Sequence, residues 1–151
     1  MIQPFSRRST NPRPPMAARR PRILIAEDDD EMRRLLAECL ACDDYDIVEA
    51  HDGAQLVDRL TTSLRGNAPV DLVITDLRMP VLGGFEAVEW FRALGCRAPV
   101  IVITAFADRR TDLESVRLGV ARVLDKPFDF DELRQVVREL FMLRPRFRGS
   151  A

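Results

Sequence analysis

Five short apolar runs alternate with five amphipathic helical patterns along residues 22–143, and this alternation constrains the fold more than any other feature. Apolar runs of four to six residues bounded by polar residues are typical of strands buried in a parallel sheet. Repeated strand–helix units predict parallel strands joined by right-handed crossovers, with helices on both faces of the sheet. The predicted strands are 22–26, 45–49, 71–75, 99–104 and 121–124, and the predicted helices are 29–41, 53–64, 84–94, 109–118 and 129–143.

The net charge of -1 conceals an acidic body between two basic ends. Residues 1–20 contain five arginines and no acid, and residues 144–151 contain three arginines, so the rest of the chain carries -9. Five prolines and little apolar periodicity predict that 1–21 is a disordered arm, with Met16 as an alternative start, and that 144–151 is a short basic tail. Both ends are short and no helix-turn-helix sequence is recognisable, so we interpret them as solvated and expect no nucleic-acid partner.

Several other patterns indicate ordinary structural roles. No apolar stretch is long enough to span a bilayer and no signal peptide is recognisable, so we expect a cytoplasmic protein without a membrane partner. Cys39 and Cys42 form a C-x-x-C pair within a helical pattern, and a zinc site would have only His51 and Cys96 to add to them. We therefore interpret the two cysteines as helix residues and His51 as a surface residue in a turn.

Polar side chains stand where the predicted strands end. Glu27 and Asp28 follow the first strand, Asp76 follows the third, Thr104 ends the fourth, and Lys126 comes shortly after the fifth. In open α/β sheets ligands bind beyond the carboxyl ends of the strands, so we expect these groups to meet at one edge. Three clustered carboxylates repel one another unless a cation lies among them, and an all-oxygen donor set favours Mg²⁺. An aspartate can attack phosphorus to form an acyl phosphate, while a lysine neutralises the phosphate oxygens.

Five motifs in this order resemble the receiver domain of two-component response regulators. The resemblance covers residues 22–143, the whole predicted folded portion of the chain. It implies a flavodoxin-like (βα)5 fold, a doubly wound parallel sheet with strand order 2-1-3-4-5. The motifs are Ile23-Leu24-Ile25-Ala26-Glu27-Asp28-Asp29 with Arg33 downstream, Glu49-Ala50-His51-Asp52-Gly53, Val73-Ile74-Thr75-Asp76-Leu77-Arg78-Met79-Pro80 with Gly84, Val102-Ile103-Thr104-Ala105, and Asp125-Lys126-Pro127-Phe128.

The resemblance implies a role for each residue at the predicted edge. Asp76 resembles the phosphoacceptor. Asp28 resembles the direct Mg²⁺ ligand, Glu27 the acid that acts through a metal-bound water, and the backbone carbonyl of Arg78 a further metal ligand. Lys126 resembles the residue that pairs with Asp76 and then with its phosphate.

The remaining residues of the resemblance concern the response to phosphate. Thr104 resembles the switch hydroxyl that moves to the phosphate, and Ala105 and Phe106 follow it in the same loop. Pro127 resembles the proline whose cis peptide bond turns the lysine inward.

The chain departs from the family pattern at two places, and two further residues are expected beside the phosphate. Gly83 replaces the usual aspartate before Gly84, which predicts a more permissive loop. Val123 replaces the usual aromatic residue three positions before the lysine, so we expect signalling to rely on Thr104 and the loop after it. Phe106 and Arg78 flank the phosphate, and the bulk of Phe106 predicts slow hydrolysis of the acyl phosphate.

The sequence thus predicts a stand-alone response regulator that accepts a phosphoryl group from a sensor histidine kinase or a histidine phosphotransfer protein. The output surface is expected on the fourth helix, fifth strand and fifth helix, for a protein partner or a homodimer. The chain would catalyse only its own phosphorylation and dephosphorylation, since a haloacid-dehalogenase phosphatase needs an acid where Arg78 stands. The alternative is a receiver-like interaction module that acts without phosphorylation.

Overall fold

The computed structural model describes residues 19–66, 68–105 and 107–143, and it confirms the predicted fold. Five parallel strands form one sheet in the order β2-β1-β3-β4-β5, with five helices between and after them. The strands are β1 Arg22–Ala26, β2 Asp46–Ala50, β3 Leu72–Asp76, β4 Val100–Thr104 and β5 Arg122–Asp125. The helices are α1 Asp30–Ala41, α2 Gly53–Arg65, α3 Gly84–Ala93, α4 Arg109–Leu118 and α5 Phe130–Leu143.

The central strands are buried on both faces, which explains their continuous apolar runs. Every residue of β3 and β4 is buried. Because side chains alternate across a strand, Leu24 and Val73 belong to one apolar core, while Ile25 and Ile74 belong to the other. The first core lies beneath α2 and α3, and the second beneath α1 and α5.

The observed element bounds differ from the predicted ones by at most one residue. Asp29 lies outside α1 as its N-cap, and its carboxylate accepts bonds from the amides of Glu31 and Met32. Tyr45 precedes β2 and packs its ring against Phe141 of α5, with the ring centroids 5.3 Å apart. Asp76 is the last residue of β3, so this acid is held by the sheet itself.

The amino edge of the sheet holds a buried acid that the sequence analysis did not single out. Asp71 precedes β3 and is 2% exposed. Its carboxylate accepts bonds from the Arg19 guanidinium at 3.0 and 3.2 Å and from the Arg22 backbone amide at 2.7 Å. Arg19 falls within the predicted arm 1–21, of which positions 1–18 lie outside the described residues, as does the predicted tail 144–151.

The cysteines and the histidine occupy the predicted positions. Cys39 lies in α1, Cys42 is its C-terminal cap, and both are free thiols. His51 is exposed in the turn between β2 and α2. Among the residues that the structure describes, no helix has the length and apolar character needed to cross a membrane.

Candidate acidic site at the carboxyl edge of the sheet

The structure brings the predicted strand-end residues together. Glu27 follows β1 and Asp76 ends β3, and these two residues are 2% and 7% exposed. Asp28 is exposed beside them, and a carboxylate oxygen from each of the three acids lies within 4.8 Å of the others. Lys126 follows β5 on the same edge, and its backbone amide donates to the carbonyl of Thr104 at 2.8 Å.

A single ammonium group bridges the two buried acids. The Nζ atom of Lys126 donates to Oε1 of Glu27 at 3.0 Å and to Oδ2 of Asp76 at 2.9 Å. Three carboxylates and one lysine leave this cluster short of positive charge. Backbone amides supply part of the deficit, because Asp29 donates to Glu27 at 3.2 Å and Arg78 donates to Oδ1 of Asp76 at 3.3 Å.

The pKa values of the bridging groups reflect this charge imbalance. Burial, followed by repulsion from Asp76, raises the pKa of Glu27 from 4.5 to about 7, although the bond from Lys126 opposes the rise. Burial by itself lowers the pKa of Lys126, but its bonds to Asp76 and Glu27 outweigh burial and raise it overall. Lys126 therefore stays charged at neutral pH. The raised pKa of Glu27 means that its carboxyl group is partly protonated at the same pH.

The donor set fits a hard divalent cation. All the clustered ligand atoms are carboxylate oxygens, which suit Mg²⁺ with retained waters better than zinc or copper. The exposed Asp28 gives such an ion a route from solvent, and the shortage of positive charge favours its entry. The cluster can therefore hold a cation beside a carboxylate that already has a lysine partner.

The loop after Asp76 is closely packed around that residue. A Cβ atom on Gly84 would overlap the carbonyl oxygen of Asp76 and lie 3.1 Å from the Cα atom of Leu77, so only glycine fits there. Gly83 has a φ of -74°, which any residue adopts, so the predicted permissiveness of two glycines is not used in this conformation. Val81 has a φ of 72°, an uncommon and strained value for a β-branched residue.

The described residues of the predicted switch lie at or just after the ends of β4 and β5. Thr104 ends β4 and is buried, Ala105 is exposed, and Phe106 lies outside the described residues. The Lys126–Pro127 peptide bond is cis, as the resemblance implied. Val123 is half-buried and packs against the core that contains Val102.

Arg33 belongs to the first sequence motif, but the sequence did not predict its role at the site. Arg33 of α1 donates to the backbone carbonyl of Glu27 at 2.7 Å and to the side chain of Glu49 at 3.1 Å. It thereby ties the end of β1 to β2. No periodicity signals this contact, because the partners lie on different elements.

Fold and site together define a flavodoxin-like α/β protein with an acidic, cation-accepting edge. A model of the response regulator receiver domain matches residues 23–138. The chain therefore belongs to the response regulator receiver domain family, which confirms the resemblance predicted from its motifs.

The names of individual relatives are consistent with this family. The chain is 35% identical over 123 residues to the regulatory protein AtoC of Escherichia coli (strain K12), covering 82% of this chain and 26% of AtoC. It is 34% identical over 119 residues to the response regulator receiver protein CpdR of Brucella abortus (strain 2308), covering 79% of this chain and 92% of CpdR. The chain spans about a quarter or less of several curated relatives that it matches.

A solved structure shows a similar fold. The response regulator protein TrrA of Thermotoga maritima, crystallised in complex with Mg²⁺ and BeF, is 34% identical to this chain with a TM-score of 0.69. The match covers 80% of this chain and 98% of the TrrA chain.

Proposed function

We propose that the chain is a response regulator that accepts a phosphoryl group on Asp76. The observation that carries this proposal is the lysine bridge: Nζ of Lys126 lies 2.9 Å from Oδ2 of Asp76. A buried carboxylate with a fixed cationic partner is positioned to act as a nucleophile and to have its product charge neutralised.

The transfer would require positioning and charge neutralisation rather than an acid–base group. A carboxylate oxygen of Asp76 attacks phosphorus, a P–O bond forms, and the bond from phosphorus to the leaving group breaks. The lysine then follows the negative charge from the carboxylate to the phosphoryl oxygens. The backbone amide of Arg78, 3.3 Å from Oδ1 of Asp76, helps to keep the carboxylate oriented.

Mg²⁺ is the cofactor proposed for this step. Asp28 and Asp76 would bind it directly, Glu27 through a water, and Arg78 through its backbone carbonyl. The bound ion would supply charge neutralisation at the transferring phosphoryl group. The clustering of the acid oxygens within 4.8 Å of one another supports this assignment.

The response would pass through Thr104 to α4. The backbone carbonyl of Thr104, at the end of β4, accepts a 2.8 Å hydrogen bond from the backbone amide of Lys126. Thr104 and Lys126, the two residues that would meet the phosphate, therefore share one rigid connection. Phosphorylation would shift an existing equilibrium between two arrangements of this region. Ala105, Phe106 and Pro127 would support the phosphate loop.

The proposed phosphoryl donors are a sensor histidine kinase or a histidine phosphotransfer protein. The proposed receiver of the signal is a protein partner, or a second copy of the chain, bound on the face of α4, β5 and α5. Exposed Leu113 and Val116 on α4 support this choice of face. The cytoplasmic location stays a prediction from the sequence.

Intact-protein mass after incubation with acetyl phosphate and Mg²⁺ tests the proposed phosphorylation. We expect one added phosphoryl group that requires Mg²⁺ and is absent from Asp76→Asn. Asp125→Asn is the matched control, because Asp125 is also a strand-end acid but is exposed and outside the acidic cluster.

Two results would contradict the proposal. One is an adduct that persists in Asp76→Asn. The other is a wild-type protein that neither gains mass nor binds beryllofluoride with Mg²⁺, which would favour the alternative of an interaction module without phosphorylation.

A further inference from the structure

Helix α4 is held to the sheet by an unusually polar buried face. Its buried residues are Thr111, Ser115 and Leu118, whereas those of α5 are all aliphatic. Among the described residues, no group forms a hydrogen bond with the buried Oγ atom of Ser115, a destabilising arrangement for this packing. Only Leu118, the last residue of the helix, gives α4 a large apolar contact with the core. The apolar attachment of α4 is therefore concentrated at its carboxyl end.

The guanidinium of Arg92, on the neighbouring α3, reinforces that same end. Its Nε atom donates to the carbonyl of Leu118 at 3.2 Å, and Nη2 donates to the carbonyl of Gly119 at 3.3 Å. Its Nη1 atom donates to the carbonyls of Cys96 and Ala98, at 3.1 and 2.8 Å, in the connection before β4. Arg92 thus joins the end of α4 to α3 and to the start of β4.

All four acceptors of Arg92 are backbone carbonyls, and it forms no ion pair with an acid in the described part of the chain. A cation beside the last carbonyls of a helix satisfies orphan acceptors and matches the helix dipole. Gly119 completes this end with a left-handed φ of 69°. Arg92 therefore acts as a carboxyl-terminal cap supplied by another helix.

The amino end of α4 borders a pocket rather than apolar core. This pocket of about 220 Å³ is partly open to solvent, and Leu77, Phe85, Thr104, Arg110 and Thr111 are among the residues that line it. Thr104, which carries the proposed switch hydroxyl, therefore lines the same pocket as the first turn of α4. That end can shift without displacing a packed apolar core.

We propose that Arg92 is a positioning residue that fixes the carboxyl end of α4, so that the helix responds to the site by moving at its amino end. The trigger of this movement rests on the proposed function, whereas the fixed carboxyl end of α4 does not. The helix has 10 residues and is about 15 Å long. A small rotation about the Arg92 end therefore displaces the amino end and the exposed residues near it.

Amide hydrogen exchange of the full chain, resolved by residue with NMR, tests this proposal. The informative amides are Asp112, bonded to the carbonyl of Asp108 near the amino end, and Val120, bonded to that of Ser115 at the carboxyl end. In wild type with Mg²⁺, we expect beryllofluoride to change exchange of Asp112 about tenfold and that of Val120 less than about twofold. Equal changes at both amides would overturn the proposal.

Substitution of Arg92 provides the second arm. We expect Arg92→Ala to speed exchange of Val120 about tenfold or more, and the beryllofluoride response to spread along α4. Arg92→Lys keeps the charge but loses the planar fork, so it should restore only part of the protection. Arg97→Ala, which removes a nearby exposed arginine, is the control and should leave Val120 unchanged.

The outcomes separate this proposal from the proposed function. Unchanged Val120 exchange in Arg92→Ala, or equal acceleration at Val120 and in β3, would overturn the positioning role. If Arg92→Ala does not fold, the proposal is tested by the exchange of Val120 in Arg92→Lys and by the comparison of Asp112 with Val120 in wild type. If fluorine NMR shows no bound beryllofluoride, the proposed function fails, while exchange of Val120 in ligand-free Arg92→Lys still judges the fixed end.

Discussion

The two edges of the parallel sheet both bury carboxylates, but they satisfy them differently. At the amino edge, Asp71 accepts both bonds of a guanidinium fork from Arg19 and one from a backbone amide. At the carboxyl edge, Glu27 and Asp76 share the single ammonium of Lys126, with a third acid close by. One edge matches each acceptor with a donor, whereas the other leaves negative charge in excess.

This difference separates a structural role from a functional one. A buried acid with complete partners stabilises the arrangement around it and is costly to disrupt. A cluster with excess negative charge gives up stability until a cation enters, which is the behaviour expected of a binding site.

The largest effect should come from the amino edge. Asp71→Asn removes the charge that the Arg19 fork meets, and we expect the free energy of unfolding to fall by about 3 kcal/mol. Urea denaturation measures this loss. Asp46→Asn is the control, because Asp46 pairs with Arg22 but is 41% exposed, and its loss should stay below about 1 kcal/mol. Equal losses for the two variants would remove the distinction between the edges.

The second effect is a pH dependence at the carboxyl edge. The pKa of Glu27 is about 7 in the folded protein and 4.5 ordinarily. Between these two pH values, the folded state therefore holds a proton that the unfolded state has released. The stability from Glu27 is therefore complete below pH 4.5 and is lost as pH rises through 7. Without Mg²⁺ the loss should reach about 3 kcal/mol.

Glu27→Gln isolates this dependence from the other titrating groups. We expect the stability difference between wild type and Glu27→Gln to change across pH 4.5 to 7, with wild type losing stability relative to the variant. Mg²⁺ should reduce the difference, because it favours the ionised carboxylate. Parallel stability curves would show that Glu27 does not titrate in this range.

A smaller effect should come from the loop that holds Asp76 in place. Gly84→Ala places a methyl group against the Asp76 carbonyl, so we expect a loss of about 2 kcal/mol and weaker beryllofluoride binding. At Gly83 the nearest atom to an added Cβ is the movable carboxylate of Glu86, so Gly83→Ala should cost less than about 1 kcal/mol. If Gly83→Ala weakened beryllofluoride binding as much as Gly84→Ala, close packing at Asp76 would not explain the effect.

The carboxyl edge was more predictable from the sequence than the amino edge, for a physical reason. Parallel topology brings strand ends together, so Glu27, Asp76 and Lys126 could be placed at one edge from the order of apolar runs alone. Asp71 and Arg19 are 52 residues apart, and neither periodicity nor a motif connects them. Their pairing depends on where the chain enters β1.

The same limit applies to the helices. The amphipathic pattern of α5 predicted its buried face, because aliphatic residues recur there at helical spacing. The role of Arg92 was not predicted, because its acceptors are backbone carbonyls that carry no sequence signal. The pKa of Glu27 likewise depends on burial and on Asp76, which only the folded arrangement defines.

The most direct test of the contrast is the free energy of unfolding of wild type and Asp76→Asn, each measured at pH 8 with and without Mg²⁺. We expect Mg²⁺ at ten times its dissociation constant to stabilise wild type by about 1.4 kcal/mol. Without Mg²⁺, Asp76→Asn should be about 1 kcal/mol more stable than wild type because repulsion is relieved, and it should respond less to the ion. A wild type indifferent to Mg²⁺, or an Asp76→Asn variant less stable without it, would contradict the account.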